Sequence, residues 1–383
     1  MRDSLPDSSA APAQADADGF RLRLRRLARR FTGGLILAYL IFLACVWAGT
    51  RLVGERNVTT AFLLYLPLGV WALPAVFLAP LGLWFHRKGF CAMCGFFCLA
   101  IWFWAGYRPG FLRATGTSSD SPDVLTVLTY NFGQNSGTSF QPFKNATRPD
   151  LIVMQEAAGR AEGYLRTPGY SEFRHGLSIG EFTLLSRFPI TESSLLPACE
   201  PSRNAPAARF VIDWNGRQIS VYAVHLMTPR GVLGSYMRGA FIWGIIGIPG
   251  TPWAEKRRHY QSFWDMQFAD VETILRTVKS DTNPCLLAGD FNAPSPGQIH
   301  SMMTNQFGDA HAAVGRGFGF TVPGRTHNPL SLGGPWMRID YVLYDRRWKA
   351  VECMTEKDRA SQHRAVMAKL RFLPGIPAQP AGG

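Results

Sequence analysis

Pro284-Cys-Leu-Leu-Ala-Gly-Asp290-Phe-Asn292 is the stretch that decides the fold. Its first half, Pro284 to Ala288, is apolar and reads as a short buried strand. Its second half, Gly289-Asp290-Phe291-Asn292, puts an acid, an aromatic and an amide where such a strand ends. A carboxylate there can hold a cation or a water, and an amide can donate to developing charge. Gly-Asp-Phe-Asn is also ordinary turn chemistry, so the stretch gains meaning only from its companions.

The companions lie in the same half of the chain. Short β-rich runs occur at Val124–Tyr130, Leu151–Met154, Phe182–Ser186, Ala208–Ile212, Ile219–Val224, Cys285–Ala288, Ile339–Leu343 and Ala365–Leu370. Helical periodicity is clearest at Glu255–Lys279, with a shorter candidate at Gln298–Met303. Strands outnumber helices at irregular spacing, which predicts a β-sandwich flanked by helices rather than regular βαβ winding. Polar residues recur at the strand ends: Asn131 after Thr129-Tyr130, Glu156 after Gln155, His225, Asp290 with Asn292, Asp340, and His363 after Ser361-Gln362. One such residue is a cap or a solvated group by default. Six at strand ends in one domain point to a shared cleft.

In this order these motifs resemble the endonuclease/exonuclease/phosphatase superfamily, whose members include deoxyribonuclease I-like nucleases, apurinic-site endonucleases, sphingomyelinases and inositol-phosphate phosphatases. The resemblance covers about residues 123–372. Leu185-Ser-Arg-Phe-Pro-Ile190 and Gly317-Phe-Gly-Phe-Thr321 also look like family scaffold pieces. It implies an α/β fold, a four-layered sandwich of the deoxyribonuclease I-like kind, and hydrolysis of phosphodiesters with Mg2+ or Mn2+. Glu156 would be the main metal carboxylate, with Asn131 beside it and Gln362 sharing the position. Asp290 would orient the attacking water. Asn292 and His225 would stabilise charge, with His225 able to protonate the leaving oxygen. His363 would contact the phosphate or act as base, and Asp340 would fix its tautomer. The family usually has Asp before the last His. Gln362 keeps an acceptor there but no charge, which weakens a metal position.

The N-terminal third is of another kind. Residues 1–30 read as a disordered basic tail that ends in six arginines between Arg21 and Arg30. Uncharged runs follow at Phe31–Thr50, Val58–Phe85 and Gly89–Tyr107, which predicts three membrane spans within 31–107. The arginines and His86-Arg87-Lys88 predict a cytoplasmic N-terminus and an extracytoplasmic catalytic domain. Residues 108–122 read as a linker and 373–383 as a Pro/Gly tail.

The net charge of +13 is uneven. Residues 1–114 hold 13 Lys/Arg and 5 Asp/Glu, against 27 and 22 in the remainder, so charge alone does not mark the domain as a nucleic-acid binder. Seven cysteines without tight spacing argue against a disulfide framework, and Cys91-x-x-Cys94 in its apolar run reads as packing rather than a metal pair. Three functions stay open: a membrane-anchored nuclease, a phosphodiesterase acting on a lipid headgroup, and a binding module that keeps the fold without catalysis. The apolar, Gly-rich segment 232–250 is either packed core or a lip that touches the bilayer. The partners expected are a phosphodiester substrate and the lipid bilayer; no protein partner is inferable.

Overall fold

The structure, a computed structural model, describes residues 10–109, 121–133, 139–235, 250, 252–324, 334–357 and 361–376. Most of the expected linker, and residues 236–249 of the apolar 232–250 segment, lie outside the described residues.

The chain divides into two compact units. The first contains α1 (Ala10–Ala48), α3 (Leu68–Phe85) and α4 (Arg87–Phe103). α1 starts inside the stretch expected to be disordered; its opening turns are Ala-rich, and Pro12 falls where a helix tolerates proline. Tyr39 donates to the Trp71 carbonyl at 2.5 Å, and Trp71 stacks near Trp104. Large apolar groups stand outward, with Phe77 76% and Trp84 82% exposed. Cys91 and Cys94 are free and exposed on α4, so they are not packed core.

Two helical runs are long and apolar enough to cross a membrane, Gly19–Arg56 and Leu68–Phe85. The third expected span is helical, but α4 has 17 residues and opens on Arg87-Lys88. The second expected span is not continuous. Val58–Leu64 is a separate helix, α2, capped by Asn57, whose side chain accepts from the Thr59 N–H. It ends before Leu66-Pro67 because the residue preceding a proline is pushed out of the helical region. α2 belongs to the second unit.

The second unit holds Gly49–Leu66 and everything after Trp104. Its strands are β1 (Val124–Asn131), β2 (Leu151–Gln155), β3 (His175–Ile179), β4 (Phe182–Ser186), β5 (Ile190–Leu195), β6 (Ala207–Trp214), β7 (Arg217–His225), β8 (Cys285–Asp290), β9 (Gly308–Asp309), β10 (Asp340–Tyr344), β11 (Trp348–Thr355) and β12 (Val366–Phe372). They form two six-stranded sheets, β11-β12-β1-β2-β4-β3 and β5-β6-β7-β8-β10-β9. Strands alternate which sheet face a residue serves. Val127, Val153 and Leu184 of the first sheet meet Phe210, Val221 and Ala288 of the second in the central core. Leu128, Ile152 and Met154 face the other way, against Phe140, Tyr170 and Phe173. Tyr222, Val224 and Leu287 pack on Phe268, Val271 and Ile274 of the long helix α8 (Pro252–Ser280). The shorter helices are α5 (Gln141–Thr147), α6 (Ala161–Leu165), α7 (Arg230–Ser235), α9 (Gln298–Thr304) and α10 (Ala310–Val314). The result is the expected sandwich of two sheets flanked by helices, each buried Val, Leu, Ile or Phe contributing roughly 1.5–3 kcal/mol.

Each sheet centres on a parallel pair, β1 with β2 and β7 with β8. In register, Asn131 lies opposite Gln155, His225 opposite Asp290, and Asp290 opposite Asp340. Gly289 makes the second alignment fit, since a Cβ there would stand 1.9 Å from the Val224 carbonyl oxygen.

α10 carries a buried histidine that tunes stability to pH. Burial pushes the His311 imidazole down to about 4, and the charge of Arg338 adds to the effect. The folded state therefore prefers neutral His311, while the unfolded chain takes up a proton below about pH 6.5. Stability should be complete above that pH and fall as pH drops toward 4, by about 3 kcal/mol from this group. His300, also lowered by burial, acts with the same sign. Denaturant unfolding of the full chain in detergent between pH 7.5 and 4 is expected to show this slope. His311→Gln should flatten it, even if its stability at pH 7.5 is lower.

Candidate active site

Asp290 is the centre of the site. It ends β8, is 1% exposed, and draws partners from both sheets. Asn131, at the end of β1, donates from Nδ2 to Asp290 Oδ2 at 2.9 Å. Asn292 donates its backbone N–H to Asp290 Oδ1 at 2.8 Å and its Nδ2 to Oδ2 at 3.3 Å. Two imidazoles face the same oxygen: His363 Nε2 at 3.7 Å and His225 Nε2 at 3.8 Å. Asn131 Nδ2 also lies 3.5 Å from His225 Nε2. Five of the residues singled out in the sequence thus meet within one cluster.

Each imidazole is held from behind by a carboxylate. His363 Nδ1 lies 3.1 Å from Asp340 Oδ2, and His225 Nδ1 lies 2.9 Å from Glu181 Oε1. Burial opposes charge on both rings, yet both are raised. For His363 the Asp340 and Asp290 carboxylates outweigh burial and hold the ring up at about 9. For His225 the Glu181 hydrogen bond and the Asp290 charge do so. Burial pushes Asp290 up, Asp340 pushes the same way, and the His363 and His225 charges oppose them. A buried carboxylate between two acid-backed imidazoles titrates together with them rather than independently.

Glu156 follows β2 directly, with φ 51. A left-handed non-glycine residue costs of order 1–3 kcal/mol and tends to mark a functional turn. Glu156 is exposed, and its charge contributes to raising both His225 and His363. The Glu156 carboxylate and the Asn131 amide oxygen are the oxygen donors at this end of β1 and β2 that could hold a cation. Asn131 Oδ1 accepts from the Gly133 N–H at 2.8 Å and retains a second lone pair. Oxygen donors suit a hard cation such as magnesium. Asp290, Asp340 and His363 form a second group that could hold an ion, each offering one ligand atom, all within 4.8 Å of one another. Gln362 is placed differently from a bare ligand: its Oε1 accepts from Arg230 Nη2 at 3.0 Å.

Sequence reasoning missed Glu181, Arg230 and Thr321. Thr321 Oγ1 accepts from the Ile339 and Asp340 N–H groups at 3.2 and 3.3 Å and so places the Asp340 strand. Its segment, Gly317 to Thr321, had a sequence signal. Glu181 sits in the turn between β3 and β4, and Arg230 opens α7; neither position has a local signature.

Two facing sheets with acids, amides and imidazoles gathered at their central strand ends define an α/β sandwich with a polar site at one edge. Residues 128–363 match the Endonuclease/Exonuclease/phosphatase family, and the chain belongs to it. Members of that family are typically hydrolases acting on phosphoester bonds, and they generally use a divalent metal. Similar solved structures include an endonuclease/exonuclease/phosphatase from Beutenbergia cavernae DSM 12333, at 18% identity over 65% of this chain and 72% of that one, with a TM-score of 0.43. One from Bacteroides vulgatus is 16% identical over 65% and 99%, with a TM-score of 0.44. A humanized D. rerio TDP2 is 14% identical over 65% and 100%, with a TM-score of 0.45. No curated protein matches.

The Arg230 contact makes Gln362 testable. Gln362→Asp restores the usual family residue and pairs it with an existing guanidinium, an exposed pair worth about 0–1 kcal/mol. Melting temperature should hold or rise slightly, and hydrolysis of a small phosphodiester should be kept or increased. Loss of hydrolysis with unchanged melting would show that the neutral amide itself is required.

Proposed function

We propose that this protein is a membrane-anchored, divalent-metal-dependent phosphodiesterase, with nucleic acid as the favoured substrate class. The observation that carries this reading is the convergence of Asn131, His225, Asn292 and His363 on the buried Asp290. A binding module without catalysis has no need to bury a carboxylate between two imidazoles, since unpaired burial of charge is costly.

Glu156 and Asn131 would hold the ion, which supplies positive charge to the phosphoryl oxygens when bound. Asp290 accepts hydrogen bonds on both its oxygens and faces the cleft, the place for a group that orients an attacking water. His363, held by Asp340, presents Nε2 toward a phosphoryl oxygen. His225, held by Glu181, presents Nε2 on the other side of Asp290 and can donate a proton to the leaving oxygen. The Asn292 amide donates to Leu226 O at 2.8 Å and to Asp290 Oδ2 at 3.3 Å, which fixes its plane beside the carboxylate. Arg230 is exposed beside Gln362 and adds a cation at the mouth.

Nucleic acid is favoured by an aromatic next to the site. Phe132 follows Asn131, and the Arg160 guanidinium lies 3.9 Å from its ring. Aromatic faces with neighbouring arginines are the platforms on which bases stack. The lipid-headgroup reading is favoured by the apolar helices, whose exposed side chains fit a bilayer.

Connectivity supports three crossings, with the catalytic domain on the side opposite the N-terminus, which the arginines between Arg21 and Arg30 favour as outside. Gly49–Leu66 and the domain after Trp104 form one compact unit, so they share one side of a bilayer. A chain that crosses through α1 and again through α3 must return before Ala105. α4 is the helix available; 17 residues span about 25 Å, short of a typical core by an amount that local thinning absorbs.

Two outcomes are expected. In an assay of the full chain with magnesium or manganese against DNA, RNA, sphingomyelin and inositol phosphates, nucleic acid should be cleaved fastest. Glu156→Gln and Asp290→Asn should each lower the rate by about a thousandfold, some 4 kcal/mol. Full activity in chelator, or in either variant, counts against the site. For topology, alkaline phosphatase fused after Gly383 should be active and green fluorescent protein there should be dark; the reverse pattern overturns the orientation.

A further inference from the structure

The segment between α1 and α3 is built into the catalytic unit. Val58, Ala61, Leu64 and Tyr65 are buried together with Val232, Tyr260, Phe263 and Trp264. Polar contacts fix the segment along its length. The Glu55 carboxylate accepts from the Gln298 N–H at 2.7 Å, at the start of α9. Gln261 of α8 bridges two turns of the segment: its Nε2 donates to the Arg56 carbonyl at 3.1 Å, and its Oε1 accepts from the Val58 N–H at 2.9 Å. The Arg56 guanidinium lies 4.8 Å from the Phe268 ring.

The segment ends at the active site. The Tyr65 ring lies 5.5 Å from that of Trp264, and its hydroxyl donates to the Asn292 carbonyl at 2.6 Å, in a buried bond. Asn292 has φ 44, a left-handed conformation that a non-glycine residue keeps only when its surroundings impose it. Its N–H is taken by Asp290 and its side chain by Leu226, and the next carbonyl, of Ala293, accepts from the Tyr341 hydroxyl at 2.7 Å. The carbonyl of Asn292 itself is held by Tyr65. Among these partners Tyr65 alone comes from before residue 105.

We propose that Tyr65, in the loop joining the first two apolar helices, is a positioning residue for the phosphoesterase site. By holding the Asn292 carbonyl it fixes the left-handed turn that aims the Asn292 amide at Asp290. The inference rests on the phosphodiesterase reading above. It follows that a domain beginning at residue 108 or later is incomplete. Such a piece lacks the Tyr65 bond and leaves Tyr260, Phe263 and Trp264 uncovered.

The test uses the full chain in detergent, with bis(p-nitrophenyl) phosphate and manganese. Tyr65→Phe keeps the ring against Trp264 and removes only the hydroxyl. It should lower kcat about tenfold and change KM less than twofold. Leu64→Ala loosens the same packing without touching Asn292; it should lower the melting temperature and leave kcat within twofold of native. Asn292→Gly accepts the left-handed turn and removes the amide. In that background Tyr65→Phe should cost nothing further. An unchanged kcat in Tyr65→Phe, an additive loss in the double variant, or an equal loss of kcat in Leu64→Ala overturns the role. Amide hydrogen exchange keeps the outcome separate from the phosphodiesterase reading. Tyr65→Phe should speed exchange at residues 291–293 whether or not the native chain is active, and unchanged exchange there overturns the positioning role by itself.

Discussion

A carboxylate taken out of water must be repaid by hydrogen bonds and nearby charge, because the penalty for burying it unpaired is several kcal/mol. Asp290 is that carboxylate, at 1% exposure. Its needs explain much of the architecture around it. Asn131 reaches it from the first sheet, while Asn292 folds back on it through a left-handed turn. Gly289 lets β8 lie close enough to β7 for His225 to stand level with it. Two imidazoles complete the surroundings, and each has its own acid behind it.

The two sheets contribute in the same manner. Each has a parallel pair at its centre, and parallel neighbours bring their carboxyl ends to one edge. Asn131 and Glu156 arrive on one pair, His225 and Asp290 on the other. Asp340 joins because β10 runs antiparallel to β8 with its first residue opposite Asp290. Behind β10, Arg338 makes a two-pronged contact with Asp309 at 2.9 and 2.7 Å, a buried pair that ties the strand's approach to β9. The burial of Arg338 and Asp309 is sustained by that fork geometry.

The eight strands expected from sequence are the interior strands of the two sheets. The four that had no clear signal, β3, β5, β9 and β11, are the four sheet edges. The reason is physical. An interior strand here is buried on both faces and reads as a nearly continuous apolar run, as in β2 and β8. An edge strand carries polar residues that discourage pairing with other chains. β5, Ile190-Thr-Glu-Ser-Ser-Leu195, is almost wholly exposed, and β11 contains Lys349 and Glu352. Periodicity could not separate such segments from loops. The apolar run from Val58 to Phe85 failed for the opposite reason: hydrophobicity alone does not distinguish a helix facing lipid from one facing Trp264 and Phe263, and only Pro67 hinted at the break.

The sequence by itself determined the family, the strand ends and the residues placed on them, because those are local: an apolar run followed or preceded by an acid, amide or imidazole. Asn131, His225, Asp290, Asn292, Asp340 and His363 were all legible in this way. What only the tertiary structure decided is who stands behind them. Glu181 lies 44 residues from the histidine it holds, Arg230 lies 132 from Gln362, and Tyr65 lies 227 from the carbonyl it binds. Contacts of that separation leave no periodic trace in a single chain. They exist because two sheets fold face to face and a short helix from before the domain fills the last apolar gap against α8.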